Sequence, residues 1–188
     1  MTELRKLWFL MDSNGISIRP RYIQSAANIW ADRLSRELDD SDWQLHPRLF
    51  RHLQRRYRHT VDRFASMANA QLPRYNSRWL DPGTEAVDCL RLPDSDWRSE
   101  NNYCHPPWDL LDDLSLKLQR SGAEATVVAP CWPTRSWHQQ LLEMATEVEV
   151  YPASPRLYLP RVPGRFDMSG PGRWPMVVFR IPYRPGGI

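Results

Sequence analysis

Apolar positions recur along the chain with two different periods, and the change from one to the other marks out its elements. Leu4, Leu7, Trp8 and Met11 fall at helical spacing, and Asp12-Ser13-Asn14-Gly15 supplies the turn chemistry that ends a short opening helix. Ile16, Ile18 and Tyr22 then alternate with polar residues as a half-buried strand does, with Pro20 placing that strand at an edge. Ser25 is positioned to cap a second helix in which Ala27, Trp30, Ala31 and Leu34 share a face. The polar run Asp39-Asp40-Ser41-Asp42 separates this region, residues 1–38, from the rest of the chain.

From Trp43 onward the pattern is that of a second unit. Leu49, Phe50, Leu53 and Tyr57 form an apolar stripe, and Arg48, Arg51, His52, Arg55 and Arg56 make the remaining surface of the same segment basic. Three short apolar runs come next, at 60–65, 102–104 and 125–129, with helical patterns between them. Alternation of this kind predicts an α/β domain over 43–151 with a mostly parallel sheet. Leu110, Leu111, Leu114 and Leu118 predict a helix over 109–120, ended by Ser121-Gly122. A further helix over 134–146 leads into a strand at 147–151. Beyond it, eight prolines and five glycines in residues 152–188 predict a largely irregular tail with one strand at 176–181.

Composition adds three points. A hydrophobic content of 41% is enough for a packed core. No apolar run approaches the ~20 residues of a membrane helix, and Met1-Thr2-Glu3-Leu4-Arg5-Lys6 lacks the layout of a signal peptide, so an intracellular protein is expected. The net charge of +3 is uneven: residues 152–188 hold six arginines against Asp167 alone, net +5, which leaves −2 for the rest. All but Lys6 and Lys117 of the 25 basic residues are arginine, a side chain suited to phosphate, so nucleic acid is a plausible partner.

Candidate chemistry concentrates in Tyr103-Cys104-His105-Pro106-Pro107-Trp108. Two prolines after a strand fix the backbone where open α/β sheets place ligands, and Trp108 offers a ring to stack on. The competing reading is a rigid strand-to-helix turn with Trp108 in the core. Asp62, Asp81 and Asp88 either accept hydrogen bonds from a ligand or close turns. Cys89, Cys104, Cys131 and His105 lack the short separations of zinc sites, and no metal is expected.

Two stretches carry resemblances. Tyr22-Ile23-Gln24-Ser25-Ala26-Ala27-Asn28-Ile29-Trp30-Ala31-Asp32-Arg33-Leu34-Ser35-Arg36 resembles the carboxyl end of the ribonuclease H domain in retrotransposon polyproteins. That resemblance implies that Asp32 matches the last carboxylate holding the two metal ions, and that the remainder of the polyprotein is a partner. Residues 43–151 resemble the region following ribonuclease H in DIRS-type tyrosine-recombinase elements, through Thr60-Val61-Asp62-Arg63-Phe64-Ala65-Ser66, Asn69, Leu72-Pro73-Arg74-Tyr75 and Ala129-Pro130-Cys131-Trp132-Pro133. That region is similar to Dam-type DNA adenine-N6 methyltransferases.

The second resemblance implies a Rossmann-like sheet and S-adenosylmethionine as cofactor. Asp62 and Phe64 then fall on the cofactor strand, while His105, Pro106, Pro107 and Trp108 fall on the loop that holds the flipped base; Asp81 and Asp88 remain cofactor-binding candidates from their own positions as acidic residues and not from the resemblance. His105 stands where the family has Asn or Asp. Three readings stay open: a degenerate methyltransferase-like domain in a retroelement polyprotein fragment, an active S-adenosylmethionine-dependent DNA adenine-N6 methyltransferase, and a nucleic-acid-binding or docking module.

Overall fold

The structure, a computed structural model, describes Trp8 and residues 11–17, 43–160 and 171–185. The chain divides into two units, Met1–Leu38 and Asp39–Ile188. In the first, Trp8 and residues 11–13 are helical, and the helix ends where Gly15 takes a left-handed φ of +59° and Ile16 N donates to Met11 O at 2.9 Å. The strand through Ile18 and Tyr22, the helix capped by Ser25, and Asp32 lie outside the described residues.

The second unit is α/β. Its elements are β1 (Trp43–Leu45), α1 (Pro47–Tyr57), β2 (Val61–Asp62), β3 (Asn76–Ser77), β4 (Ala86–Val87), α2 (Asp94–Arg98), β5 (Asn102–Cys104), α3 (Leu111–Ser121), β6 (Ala125–Pro130), α4 (Ser136–Met144), β7 (Glu147–Tyr151), β8 (Tyr158–Pro160) and β9 (Met176–Ile181). Five strands form the central sheet in the order β2-β5-β6-β9-β7. β2, β5 and β6 pair in parallel, whereas β9 runs antiparallel to both β6 and β7. The sheet is therefore mixed rather than mostly parallel in its pairings. The reason lies in the C-terminal segment, which returns through β8 and inserts β9 between two strands that run the other way.

Side-chain patterns agree with these places. β9 reads Met-Val-Val-Phe-Arg-Ile and is buried almost throughout, as a strand covered on both faces must be. Among the described residues β7 has a neighbour on one side alone, and it reads Glu-Val-Glu-Val-Tyr with no fully buried residue. Alternate residues of the inner strands feed two cores. Val127, Ala129, Val177 and Phe179 pack with Leu111, Leu114 and Leu118 of α3 and Trp137 and Leu141 of α4. Val128, Met176 and Val178 pack on the other face with Leu45, Phe50, Leu53, Tyr57, Tyr103 and Tyr158.

Two small ribbons flank the sheet. β1 pairs antiparallel with β8, placing Leu45 opposite Tyr158, and β3 pairs in parallel with β4. Helix α1 starts at Pro47, where the His46 ring nitrogen Nδ1 accepts from Arg48 N at 3.2 Å, and α3 ends at Gly122 with φ 63°. No helix among the described residues is long and apolar enough to cross a membrane.

Candidate functional site

β5 lies between β2 and β6 and runs parallel to both, so the residues after Cys104 emerge at the carboxyl edge of the sheet. Asp62 of β2 sits beside Tyr103 in register, and Arg63 N donates to Tyr103 O at 2.9 Å. The Asp62–Phe64 and His105–Trp108 segments, some forty residues apart in sequence, are thus brought to adjacent strand ends.

The loop itself is firmly held. Cys104 is fully buried, and burial raises its thiol pKa well above the ordinary value, which leaves it an inert core residue. His105 stacks on Tyr158, with 5.8 Å between ring centroids and 18° between planes. Burial lowers its pKa to about 4, so the imidazole is neutral at physiological pH. Pro106 is buried and Pro107 exposed; Pro107 leads into a 3₁₀ turn over Trp108–Leu110 that runs on into α3.

Trp108 is half-buried, and its ring meets Trp132 edge-on at 5.1 Å and Trp174 at 5.2 Å. Trp132 and Trp174 are themselves 5.3 Å apart and nearly perpendicular. Three tryptophans, one after β5, one after β6 and one before β9, therefore converge at the carboxyl edge. Arg173 lies 3.7 Å over the Trp174 ring.

The cofactor side is differently built. Asp62 is only 2% exposed, and its carboxylate oxygens accept from Phe64 N at 3.4 Å and Gln71 N at 3.0 Å. It organises the loop that follows it. Phe64 packs against the α3/α4 core. Asp81 accepts from Met67 N, and Asp88 holds a left-handed backbone with φ 53° and pairs with Arg91 at 2.9 Å. These acids act as loop and turn residues, and the structure does not gather the four cofactor candidates around one accessible carboxylate.

S-adenosylmethionine would need an acceptor for its ribose hydroxyls and a close backbone approach after β2. The Asp62 carboxylate is covered, and the first glycine after it is Gly83, beyond β3. The residues present do not fit that cofactor. Among the described residues, no group of three His, Cys, Asp or Glu side chains is placed to hold a metal ion.

Sequence reasoning missed Tyr158, Trp174 and Arg63. Arg63 is 4% exposed and donates to Asn102 Oδ1 at 2.6 Å, Asn76 Oδ1 at 2.8 Å and Asp96 O at 2.8 Å, tying the ends of β2, β3 and β5 to α2. Its place just past the end of β2, next to Asp62, distinguishes it in the sequence no more than that of a surface arginine. Tyr158 and Trp174 come from the Pro/Gly-rich segment, where no periodicity marks a buried position. Compared with known proteins, the chain matches no protein-family model and no curated protein.

Proposed function

We propose that the Asp39–Ile188 unit is a methyltransferase-like domain of a retroelement polyprotein, one that retains a loop for holding a nucleic-acid base and does not transfer a methyl group. The observation that carries this reading is the His105-Pro106-Pro107-Trp108 loop at the carboxyl end of the strand between β2 and β6. Support for a Rossmann-like ancestry comes from strand direction: β7 is antiparallel to β9, as β6 is, so β2, β5, β6 and β7 all run one way. The Met1–Leu38 unit, with Asp32, belongs in this proposal to the carboxyl end of a ribonuclease H domain.

The chemistry of the loop suits binding. A neutral imidazole has one ring nitrogen able to accept a hydrogen bond from the exocyclic amine of a base. Trp108 is only half-buried, and an aromatic ring stacked on a base contributes about 1–3 kcal/mol. Two prolines hold the loop without further loss of backbone freedom. Transfer is disfavoured by the covered Asp62 and by an imidazole where the family has an amide or carboxylate oxygen.

Two measurements test the proposal. A single-stranded oligonucleotide carrying 2-aminopurine should change fluorescence on adding the protein, and Trp108→Ala should abolish the change. Calorimetry with millimolar S-adenosylmethionine should show no heat; saturable heat together with methylation of DNA adenine by the purified protein would overturn the reading.

A further inference from the structure

Helix α1 presents two chemically opposed faces. Phe50, Leu53 and Tyr57 are buried in the core, while Arg48, Arg51, His52, Arg55, Arg56 and Arg58 are exposed. No acidic residue occurs from Trp43 to Val61. Arg56, which faces the edge of the sheet, is neutralised by Glu147 and Glu149 of β7. Arg48, Arg51, Arg55 and Arg58 have no carboxylate within ion-pairing distance among the described residues; Arg51 spends one N–H on Pro47 O at 3.2 Å.

Steps of three and four residues keep Arg48, Arg51 and Arg55 on one side of the helix, over roughly 10 Å, and Arg58 follows as the left-handed cap just past the helix end. Left alone, this arrangement is unfavourable. Like charges at such spacings cost about 0.2–0.5 kcal/mol per pair, and Arg48 in the first turn opposes the helix dipole. The fold relieves the same repulsion at Arg56 with two carboxylates and leaves it standing along the stripe. A polyanion laid on the stripe would remove it.

We infer that the Arg48, Arg51 and Arg55 face of α1, with Arg58 at its carboxyl cap, is a track for the phosphodiester backbone of nucleic acid. β1 leads directly into α1 and pairs Leu45 with Tyr158, the ring that stacks on His105, so the track begins at the end of the sheet that carries the loop. The inference stands on the helix alone and does not require the loop to hold a base.

Anisotropy of a labelled mixed-sequence oligonucleotide, single-stranded and duplex, across a salt series provides the test. With four phosphates engaged, log Kd should change with log salt with a slope of about 2.8 for the single strand or about 3.6 for the duplex. Each Arg→Gln change along the stripe should lower the slope by ~0.7–0.9, and Arg→Lys should keep it. Arg98→Gln and Arg156→Gln, exposed positions off the helix, should leave it unaltered.

The fourfold Gln variant should bind roughly tenfold more weakly or worse while melting at or slightly above the wild-type temperature. A folded fourfold variant, or single variants, with the wild-type slope would overturn the inference, as would binding to phosphatidylserine vesicles without binding to either oligonucleotide. A 2-aminopurine response that persists in Trp108→Ala, with the salt slope intact, would count against the loop alone.

Discussion

The ring of Tyr158 lies against the imidazole of His105, nearly parallel to it, and covers one face of a half-buried histidine whose pKa burial has lowered to about 4. The unfolded chain takes up this proton near 6.5, before the folded chain does. Stability that depends on neutral His105 is therefore complete above pH 6.5 and is lost as pH falls toward 4. A histidine NMR titration should leave the His105 resonances unmoved between pH 8 and 5. Tyr158→Ala should raise the pKa toward the ordinary value and cost about 3–5 kcal/mol, the usual penalty for removing a buried aromatic side chain. A wild-type pKa above 6 would show that Tyr158 does not shield the imidazole from solvent.

His59 extends the same acid sensitivity into the core beneath. It is 4% exposed, its Nδ1 faces Gln54 Oε1 at 2.8 Å and its Nε2 faces Thr126 Oγ1 at 2.8 Å. Burial, aided by Arg180, lowers its pKa to about 3. Nδ1–H donates to the glutamine, so Nε2 accepts from the threonine hydroxyl. Thr126→Val keeps the shape but leaves Nε2 buried without a donor, and should cost about 1–3 kcal/mol in urea unfolding at pH 7. As pH falls below 6.5 the protein should lose stability through His59, because the unfolded chain takes up that proton first; a flat stability profile from pH 7 to 5 would contradict this assignment.

Tyr103 offers the reverse case. Its hydroxyl is buried with no hydrogen-bond partner among the described residues, and its ring packs edge-on against Phe50 at 4.9 Å. Because the oxygen is desolvated without compensation, Tyr103→Phe should be neutral or stabilising, by about 1 kcal/mol, and should raise the midpoint of thermal unfolding. A loss of stability would mean that the hydroxyl has a partner.

The parts of this fold that were legible in the sequence are those written in local periodicity. α3 and α4, and the strands β5, β6, β7 and β9, each announce themselves through an apolar run of sufficient length or a clean stop such as Gly122. β1, β3, β4 and β8 hold two or three residues each, and their pairing depends on partners far away in sequence, as when Trp43 meets Pro160. The site divides in the same way. Pro106-Pro107 after a strand could be recognised from the residues themselves, whereas the walls around the loop, Tyr158 and Trp174, are delivered by tertiary packing from a segment that reads as irregular. Asp62 was identifiable as a strand-end acid, but its burial and its bond to Gln71 N belong to the folded loop.

Arg63 should prove hard to replace. Its guanidinium reaches three acceptors in different directions and lies 4.9 Å from the ring of Trp97, with no ion pair among the described residues. Burial lowers its pKa, a sign of strain on the charged form that the three bonds must offset. Arg63→Ala leaves Asn102 Oδ1 and Asn76 Oδ1 without this donor and should destabilise by roughly 3 kcal/mol or more, since bonds to a charged group contribute about 1.5–3 kcal/mol each. Arg63→Lys should recover little of this, because an ammonium lacks the planar fork that spans the three sites. Recovery to near wild-type urea midpoint by lysine would show that charge, not geometry, is what the site requires.

Loss of the C-terminal strand should damage the fold more than any single substitution. β9 buries Met176, Val177, Val178, Phe179 and Ile181 and supplies the strand to which β7 is hydrogen-bonded. At about 1.5–3 kcal/mol for each buried side chain, its removal forfeits on the order of 10 kcal/mol, comparable with the whole stability of an ordinary domain. It would also expose the sides of β6 and β7 that β9 now pairs, inviting edge-to-edge association. A chain ended after Tyr151 should therefore be insoluble or unfolded by circular dichroism and limited proteolysis. Phe179→Ala in the full chain should stay folded with a loss of about 3–5 kcal/mol. If the truncated chain instead melts cooperatively at the wild-type temperature, β9 is an accessory to the sheet and not part of its core.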